Sequence, residues 1–375
     1  MRELPWPSVL TAHARDVPSE ARALLAARLE PDLAGRGALL LGTCHRVEAW
    51  LPAGTSPIAA RLPAPVRQIN GEAAARHVLC VAVGLDSVVL AEDQLLHQLR
   101  AEATRARSRG PLDPALDRLV QLALRAGRRA RSWRVGRGES LADVALARLP
   151  AGGSILVVGT GDMGRLAAAA VRRRGDRLLV AGRTPANAAE LAERSGGAAL
   201  GFVPEADVLA TVRGVIVALR GAWPLPPARA AALVSGGAVV VDLSSPPALA
   251  PELRARLGQR LHSIDALARE RSGDDRLARR LERLVEEALA EYAAWLRGRA
   301  AAAAAAELTA RADETRRAAL ERLWRELPAY DGATREAVER MSRHLVARIL
   351  DAPLARLGSD PDGARERAAR ELFDL

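Results

Sequence analysis

The chain of 375 residues contains no lysine, few aromatic side chains (3%) and only two cysteines, Cys44 and Cys80. Two cysteines in this length exclude a disulfide framework and a cysteine-rich metal site. No uncharged apolar run approaches the ~18 residues that span a bilayer, and the first 25 residues lack the apolar block of a secretory leader. We therefore expect a cytoplasmic globular protein of two or three domains, with no membrane segment and no metal site.

Because lysine is missing, all 55 basic residues are arginines, and the formal net charge is +10. An arginine- and alanine-rich proteome would give the same bias. The excess is nevertheless concentrated in residues 100–148, where twelve arginines stand against five acidic residues. Arginine contacts to phosphates give sequence-independent affinity for polyanions, so RNA is one predicted partner.

Three regions of the sequence differ in pattern. Residues 1–149 mix short apolar runs with helical periodicity, with predicted strands at 38–41 and 48–51 and a largely helical stretch at 73–109 that breaks at Gly84. Residues 150–270 alternate helices with near-continuous apolar strands, which predicts a doubly wound parallel sheet of α/β class. Residues 271–375 are helical only. We expect these three regions to be separate domains.

The third region begins with one long amphipathic helix. Its apolar side chains repeat at three and four residues: Leu277, Leu281, Leu284, Ala288, Tyr292 and Trp295. Such a stripe needs a partner. Either it packs on neighbouring helices of the same chain, or it forms a dimer interface.

The strongest motif is a glycine-rich loop between an apolar strand and a helix, formed by Gly159, Thr160, Gly161, Asp162, Met163 and Gly164. In this context the first glycine permits a tight turn, the second lets the backbone approach a pyrophosphate, and the third lets helix and strand pack closely. The loop predicts a dinucleotide-binding domain.

The end of the next strand indicates which dinucleotide is bound. An NAD-dependent enzyme places an acidic residue there, whereas this chain has Arg183 and Thr184. A guanidinium and a hydroxyl favour the additional phosphate of NADP(H). The alternative is that Arg183 only caps or solvates a loop.

Cys44 lies where an apolar strand enters a turn, so its thiol can be exposed. The neighbouring His45 and Arg46 would favour the thiolate if their side chains point toward it. Cys44 is otherwise a structural cysteine, and Cys80, inside an apolar run, is predicted to be an inert core residue. His77 is a candidate general acid or base, or simply a satisfied histidine beside the core.

Five segments in order resemble motifs of the glutamyl-tRNA reductase family. They are GTCHRVE at 42–48, GLDSVVLAEDQ at 84–94, the glycine-rich loop with GRTP at 182–185, DLSSP at 242–246, and HLVARILDAP at 344–353. The resemblance implies an α+β catalytic domain (1–149), a Rossmann-type NADPH domain (150–270) and a helical dimerisation domain (271–375) on a long spinal helix.

The resemblance also implies an activity, namely NADPH-dependent reduction of glutamyl-tRNA(Glu) to glutamate-1-semialdehyde by a homodimer. Cys44 would be the nucleophile that forms a thioester, and His77 would be the activity-critical histidine. The implied substrate-binding residues are Thr43, His45, Arg46, Ser87, Glu92, Asp93, Gln94 and Gln98. Docking of a glutamate-1-semialdehyde aminomutase is a further implication that no residue here demonstrates.

The sequence departs from the family motifs at several pocket positions. Gly42 replaces a serine, His45 an asparagine, Ala91 a glycine and Asp93 a proline. Two other functions stay open. The substituted pocket residues motivate a non-catalytic paralog that binds tRNA or a pathway partner. The strand, helix and GRT layout is shared with shikimate-type NADP dehydrogenases of small metabolites, which would have no use for Cys44.

Overall fold

The computed structural model describes residues 4–43, 45–55, 62, 65–87, 89–91, 93–133, 140–267, 275–327, 329, 331–358 and 362–375. The chain divides into two compact units, a larger one of Trp6–Ala288 and a smaller one of Leu289–Leu375 with Met1–Pro5. The larger unit holds two β-sheets, and the smaller unit is helical. The expected boundaries near residues 149 and 270 stay predictions.

The first sheet is antiparallel. Its strands are β1 (Ser8–His13), β2 (Leu39–Gly42), β3 (Arg46–Leu51) and β4 (Arg67–Asn70), in the order β2-β3-β1-β4. Helix α1 (Ser19–Leu33) packs on this sheet through Leu25, Leu29 and Leu33. Strands β2 and β3 confirm the two predicted strands, and Thr43 and His45, the neighbours of Cys44 in sequence, lie between them.

Four helices follow the antiparallel sheet: α2 (Glu72–Ala82), α3 (Asp93–Arg109), α4 (Pro114–Arg131) and α5 (Leu141–Ala147). The predicted break in the long helical stretch is confirmed, because Gly84 has φ +72°, a conformation that favours glycine. Helix α4 begins after Asp113, whose carboxylate accepts hydrogen bonds from the Ala115 and Leu116 amides at 2.9 and 3.0 Å.

The second sheet is parallel and has six strands: β5 (Ser154–Val158), β6 (Arg177–Ala181), β7 (Ala198–Leu200), β8 (Gly214–Val217), β9 (Val239–Asp242) and β10 (Leu261–Ser263). Its order is β10-β9-β8-β5-β6-β7. The associated helices are α6 (Asp162–Arg174), α7 (Pro185–Ser195), α8 (Ala206–Thr211), α9 (Pro227–Ser235), α10 (Pro251–Leu257) and α11 (Ile264–Leu267), with a 3₁₀ turn at Gly258–Arg260.

The parallel sheet is buried on both faces. Leu156 and Val157, adjacent in β5, belong to two different apolar clusters on opposite sides of the sheet. This explains why the strands read as continuous apolar runs. The strand order reverses between β5 and β8, where Val158 pairs with Val217, and such a switch point is the usual ligand-binding crevice of a doubly wound sheet.

Three helices form the C-terminal part of the chain: α12 (Asp275–Glu326), α13 (Gly332–Gly358) and α14 (Ala364–Phe373). Helix α12 confirms the predicted long helix and buries most of the predicted stripe, although Leu296 is buried where Trp295 is only half-buried. Leu308 of α12 clusters with Leu350 and Leu357 of α13. Among the described helices, none is both long and apolar enough to cross a membrane.

Candidate functional site

The glycine-rich loop joins β5 to the first turn of α6. Gly159 has φ +123°, and a Cβ there would lie 2.2 Å from the Ala218 carbonyl oxygen. A Cβ on Gly164 would lie 1.9 Å from the Gly159 carbonyl oxygen, so the helix can approach the strand only with glycine there. Gly161 precedes α6, and a Cβ on this residue would meet nothing within 4 Å, so its backbone is open to a ligand.

A cavity of about 1100 Å³ connects this loop to the turn that precedes Cys44. Its walls also include α1, α3 and the carboxyl ends of β6, β8 and β9. Among the predicted site residues, the following line it together: Thr43, Gln98, Gly159, Thr160, Gly161, Asp162, Met163, Arg183 and Thr184. The predicted nucleotide loop and the predicted nucleophile turn therefore face one space.

The main cavity, as we call this space, is positively charged. Five guanidinium groups line it: Arg22, Arg131, Arg165, Arg183 and Arg220. The one carboxylate in its described lining, Asp162, pairs with Arg165 at 2.9 Å, and Arg22 pairs with Asp265 outside the lining at 2.9 Å. Arg183 and Thr184 are exposed directly after β6. Several cations around an open helix N-terminus suit a ligand with more than one phosphate.

A buried carboxylate, Glu48 of β3, organises a second group of side chains. Its oxygens accept hydrogen bonds from Thr11 (3.0 Å), Trp50 (2.8 Å) and Arg46 (3.3 Å), and lie 2.9 Å from Nε2 of His77. Burial raises the pKa of Glu48, but the hydrogen bond and charge of His77 and the charge of Arg46 lower that pKa to about 2. Glu48 is therefore ionised, and it orients the His77 ring.

Arg46 connects β3 to the segment before α3. Its guanidinium is 2% exposed and donates to the Asp86 carboxylate at 3.1 Å and also to the Asp86 carbonyl oxygen. Arg15 binds the same carboxylate at 2.8 Å. Burial raises the pKa of Asp86, and the charges of Arg46 and Arg15 outweigh this and lower it. Ser87, another predicted substrate residue, is buried beside this cluster.

A smaller cavity of about 590 Å³ is lined by His77, with His13, Arg15, Asp86 and Cys80. The described linings of the two cavities share no residue, so the structure places His77 and Thr43 in different spaces. Cys80 is half-buried at this surface and not in the core as predicted. Burial raises the pKa of its thiol to about 11, so the thiol stays protonated at neutral pH.

His45 differs from the expectation that it favours a thiolate at Cys44. Its side chain is buried, and burial together with the charge of Arg46 lowers its pKa from 6.5 to about 3. The imidazole is neutral at pH 7 and supplies no positive charge. Arg46 is likewise directed to Glu48 and Asp86. Within the described residues, Nε2 of His45 has no hydrogen-bond partner.

Thr43 holds the turn between β2 and β3. Its hydroxyl accepts from the His45 and Arg46 amides, both at 3.1 Å, and its own amide donates to the Arg46 carbonyl oxygen at 2.8 Å. Cys44 itself and Glu92 lie outside the described residues, as do the side chains of Asp93 and Gln94. Their predicted roles stay predictions.

Sequence reasoning missed several residues of these two cavities. His13 is placed opposite Arg46 by the β1–β3 register, and Arg22 reaches the main cavity from α1. Neither position carries a motif. Glu48 did give a signal, because it is a lone carboxylate inside an apolar strand, where a charge persists only when it is paired.

The buried neutral His45 predicts an acid-sensitive fold. Below pH 6.5 the unfolded chain protonates this residue while the folded protein does not, so stability falls as pH falls from 6.5 toward 3. Between about pH 7.5 and about pH 5 we expect the free energy of unfolding to fall by about 2 kcal/mol more in the wild type than in His45→Asn. Urea unfolding of both proteins at the two pH values measures this, and an identical pH dependence would contradict it.

Comparison with known protein families finds three matches along the chain. Residues 12–133 match the glutamyl-tRNA(Glu) reductase N-terminal domain, and residues 280–375 match the dimerisation domain of the same family. Residues 142–270 match the shikimate/quinate 5-dehydrogenase family, which covers only the region of the parallel sheet.

Individual relatives agree with the two flanking matches. The chain is 31% identical to a glutamyl-tRNA reductase of Chloroflexus aurantiacus over 90% of this chain and 88% of that one. It is 32% identical to that of Rubrobacter xylanophilus over 96% and 91%. The solved glutamyl-tRNA reductase of Methanopyrus kandleri shares the fold, with a TM-score of 0.50, 24% identity, and coverage of 98% and 99%.

Proposed function

The chain belongs to the glutamyl-tRNA reductase family, and we propose that it reduces glutamyl-tRNA(Glu) to glutamate-1-semialdehyde with NADPH through a thioester on Cys44. The observation that carries this proposal is the main cavity, because it brings the turn flanking Cys44 and the glycine-rich loop to one space. A thioester and a nicotinamide must meet for such a reduction.

In the first half of the proposed reaction, the Cys44 thiolate attacks the ester carbonyl that joins glutamate to tRNA. The C–O bond breaks, the tRNA leaves with its terminal hydroxyl, and glutamate remains as a thioester. His77, the histidine that the family resemblance implies, lines the smaller cavity with its Nε2 held by Glu48, so we assign it no proton transfer here, and the leaving oxygen takes its proton from solvent. Thr43 keeps the turn in place through its two hydrogen bonds from backbone amides.

The residues of the main cavity fit NADPH. The open backbone at Gly161 and the N-terminus of α6 would hold the pyrophosphate, and Arg183 and Thr184 would hold the 2′-phosphate. When bound, NADPH would supply the hydride that reduces the thioester carbonyl carbon, and the Cys44 sulfur would then leave as a thiolate and release the aldehyde.

Incubation of the purified protein with NADPH and charged glutamyl-tRNA(Glu) tests the activity. We expect glutamate-1-semialdehyde to form in proportion to the NADPH that is oxidised, and free glutamate in place of the charged tRNA to give none. Absence of the aldehyde while the tRNA still binds would support the non-catalytic paralog, which the substitutions at Gly42, His45 and Asp93 motivate.

Arginines on the surface of α3 and α4 are suited to tRNA phosphates. The exposed ones are Arg100, Arg105, Arg107, Arg109, Arg125, Arg128, Arg129 and Arg131. Arg131 also lines the main cavity, so this surface leads toward the proposed site. Phosphate contacts of this kind predict binding that weakens steeply with added salt.

Arg183 is the residue that we expect to select NADPH over NADH. Arg183→Ala should raise the Kd for NADPH about 10- to 100-fold and change the Kd for NADH by less than about 3-fold. The reason is that the variant loses only the contact with the 2′-phosphate, which NADH does not have. Titration of both nucleotides by fluorescence measures this. Arg177, at the opposite end of β6, gives the control Arg177→Ala, and equal weakening of both nucleotides would contradict the assignment.

The family match to a dimerisation domain leads us to propose a homodimer formed by the third of the three predicted domains. Helix α13 carries three exposed apolar side chains four residues apart: Met341 (59%), Leu345 (54%) and Ile349 (63%). Leu345→Asp places a charge in this row, and we expect it to convert dimers to monomers in sedimentation experiments. Leu24→Asp, at a leucine of α1 that is at least as exposed (63%), is the control. A Leu345→Asp protein that stays dimeric would place the interface elsewhere.

A further inference from the structure

A buried ion pair joins two segments of the larger unit that are 243 residues apart in sequence. Arg22 of α1 is 1% exposed, and its Nη1 donates to the Asp265 carboxylate at 2.9 Å and to the Val17 carbonyl oxygen at 2.5 Å. Asp265 belongs to α11, directly after the last strand of the parallel sheet. The pair therefore connects α1, which packs on the antiparallel sheet, to α11, which follows the parallel sheet.

Asp265 also caps α1. Its second carboxylate oxygen accepts from the Ser19 amide at 3.1 Å, in the first turn of the helix. Pro18 occupies the N-cap position and provides no side-chain hydrogen bond. The start of α1 thus receives its acceptor from α11, which follows the parallel sheet, and a carboxylate at a helix N-terminus is also favoured by the helix dipole.

The capped helix is a wall of the main cavity. Arg22, Ala23 and Ala26 of α1 line it, together with the glycine-rich loop of the parallel sheet. Asp265 is not part of the lining that the described residues form. Loss of Asp265 would leave a buried guanidinium without its carboxylate, which is costly, so the pair resists separation of the two walls.

We propose that Asp265, acting through Arg22 and the Ser19 amide, is a positioning residue that keeps the glycine-rich loop facing the turn of Cys44. This inference rests on the proposed function. Acylation of Cys44 needs only the turn and the substrate, whereas reduction also needs the loop at a fixed distance. The pair should therefore matter for reduction and not for acylation.

Asp265→Ala separates the two half-reactions. Without NADPH, we expect the rate of tRNA release and Cys44 acylation to stay within about 3-fold of the wild type. In a single turnover with saturating NADPH, semialdehyde formation should fall about 10²-fold, the scale of a small misplacement of reacting groups. Asp265→Asn keeps one acceptor for Ser19 and should give a smaller loss.

The matched control is Glu20→Gln, which breaks the ion pair of Glu20 in the same helix α1 with Arg254 of α10. Both of its side chains are at least one-third exposed, so we expect less than a 2-fold change in either half-reaction. Reduction that is undiminished in Asp265→Ala, or acylation and reduction that fall equally, would overturn the positioning role.

Hydrogen exchange provides a readout that does not depend on activity. The peptide that covers residues 17–25 should exchange faster in Asp265→Ala than in the wild type, and Glu20→Gln should leave it unchanged. If the wild type forms no Cys44 adduct, the proposed function fails but this comparison still applies. Unchanged exchange in Asp265→Ala would overturn the role of the pair itself.

Discussion

Cys44→Ser is expected to lower NADPH-dependent semialdehyde formation by roughly 10⁴-fold, because a serine hydroxyl is a far weaker nucleophile than a thiolate at neutral pH. Binding of tRNA and NADPH should be nearly unchanged, since the substitution exchanges one small side chain for another. Steady-state kinetics with charged tRNA measure the loss, and nucleotide titration checks that the fold and the cofactor site are intact.

Cys80→Ser is the matched control, because Cys80 is the only other cysteine of the chain. Burial raises the pKa of its thiol to about 11, so it offers little thiolate at neutral pH. We expect its turnover to stay within about 2-fold of the wild type. A Cys44→Ser protein that retains turnover would remove the thioester from the mechanism and favour a dehydrogenase of shikimate type.

We expect Gly164→Ala to lower the stability of the protein and Gly161→Ala to weaken its binding of NADPH. A methyl group on Gly164 meets the Gly159 carbonyl oxygen at 1.9 Å, so backbone must move, and we expect a loss of about 3 kcal/mol or more in unfolding free energy. A methyl group on Gly161 meets nothing within 4 Å, so stability should hold while the Kd for NADPH rises about 10-fold or more.

Thermal unfolding and NADPH titration of both variants measure these effects. Gly175→Ala, at the C-terminal end of α6, serves as a control, since its φ of +82° predicts a loss of stability by strain but no change in cofactor affinity. A Gly161→Ala protein that binds NADPH as tightly as the wild type would mean that the pyrophosphate does not approach this backbone.

The parallel sheet illustrates how far sequence patterns lead. Continuous apolar runs such as 154–158 are typical of strands that are buried on both faces. The glycine-rich motif is specific because it stands between such a strand and a helix. The order of the strands is a different matter, because it follows from how the crossovers pack and no local run encodes it. The main cavity depends on that order.

The candidate site shows what sequence patterns do not predict. The motif around Cys44 can be identified in the sequence, but the burial and the ion pairs of its neighbours cannot. His45 beside an arginine suggests a cation in sequence, whereas burial makes it neutral. Arg46 suggests a free guanidinium, whereas strand register and the fold of residues 83–87 direct it to Glu48 and Asp86. Burial and long-range pairing, as between Arg22 and Asp265, arise only in the folded chain.

Helix α12 gives a third case. The spacing of its apolar residues predicts the helix, but the same stripe fits an internal core and a dimer interface equally well. In the structure Leu281, Leu284 and Leu308 are buried within a single chain, and the exposed apolar row lies on α13. Sequence periodicity gives a helix's buried face without identifying what covers it.

Mass spectrometry of the protein after mixing with glutamyl-tRNA(Glu), with no reduced nucleotide present, tests the central claim most directly. We predict a glutamyl adduct on the peptide that contains Cys44, released by hydroxylamine as expected for a thioester and absent from the Cys80 peptide. A fully active enzyme that shows no adduct on Cys44 under rapid quenching would contradict the mechanism.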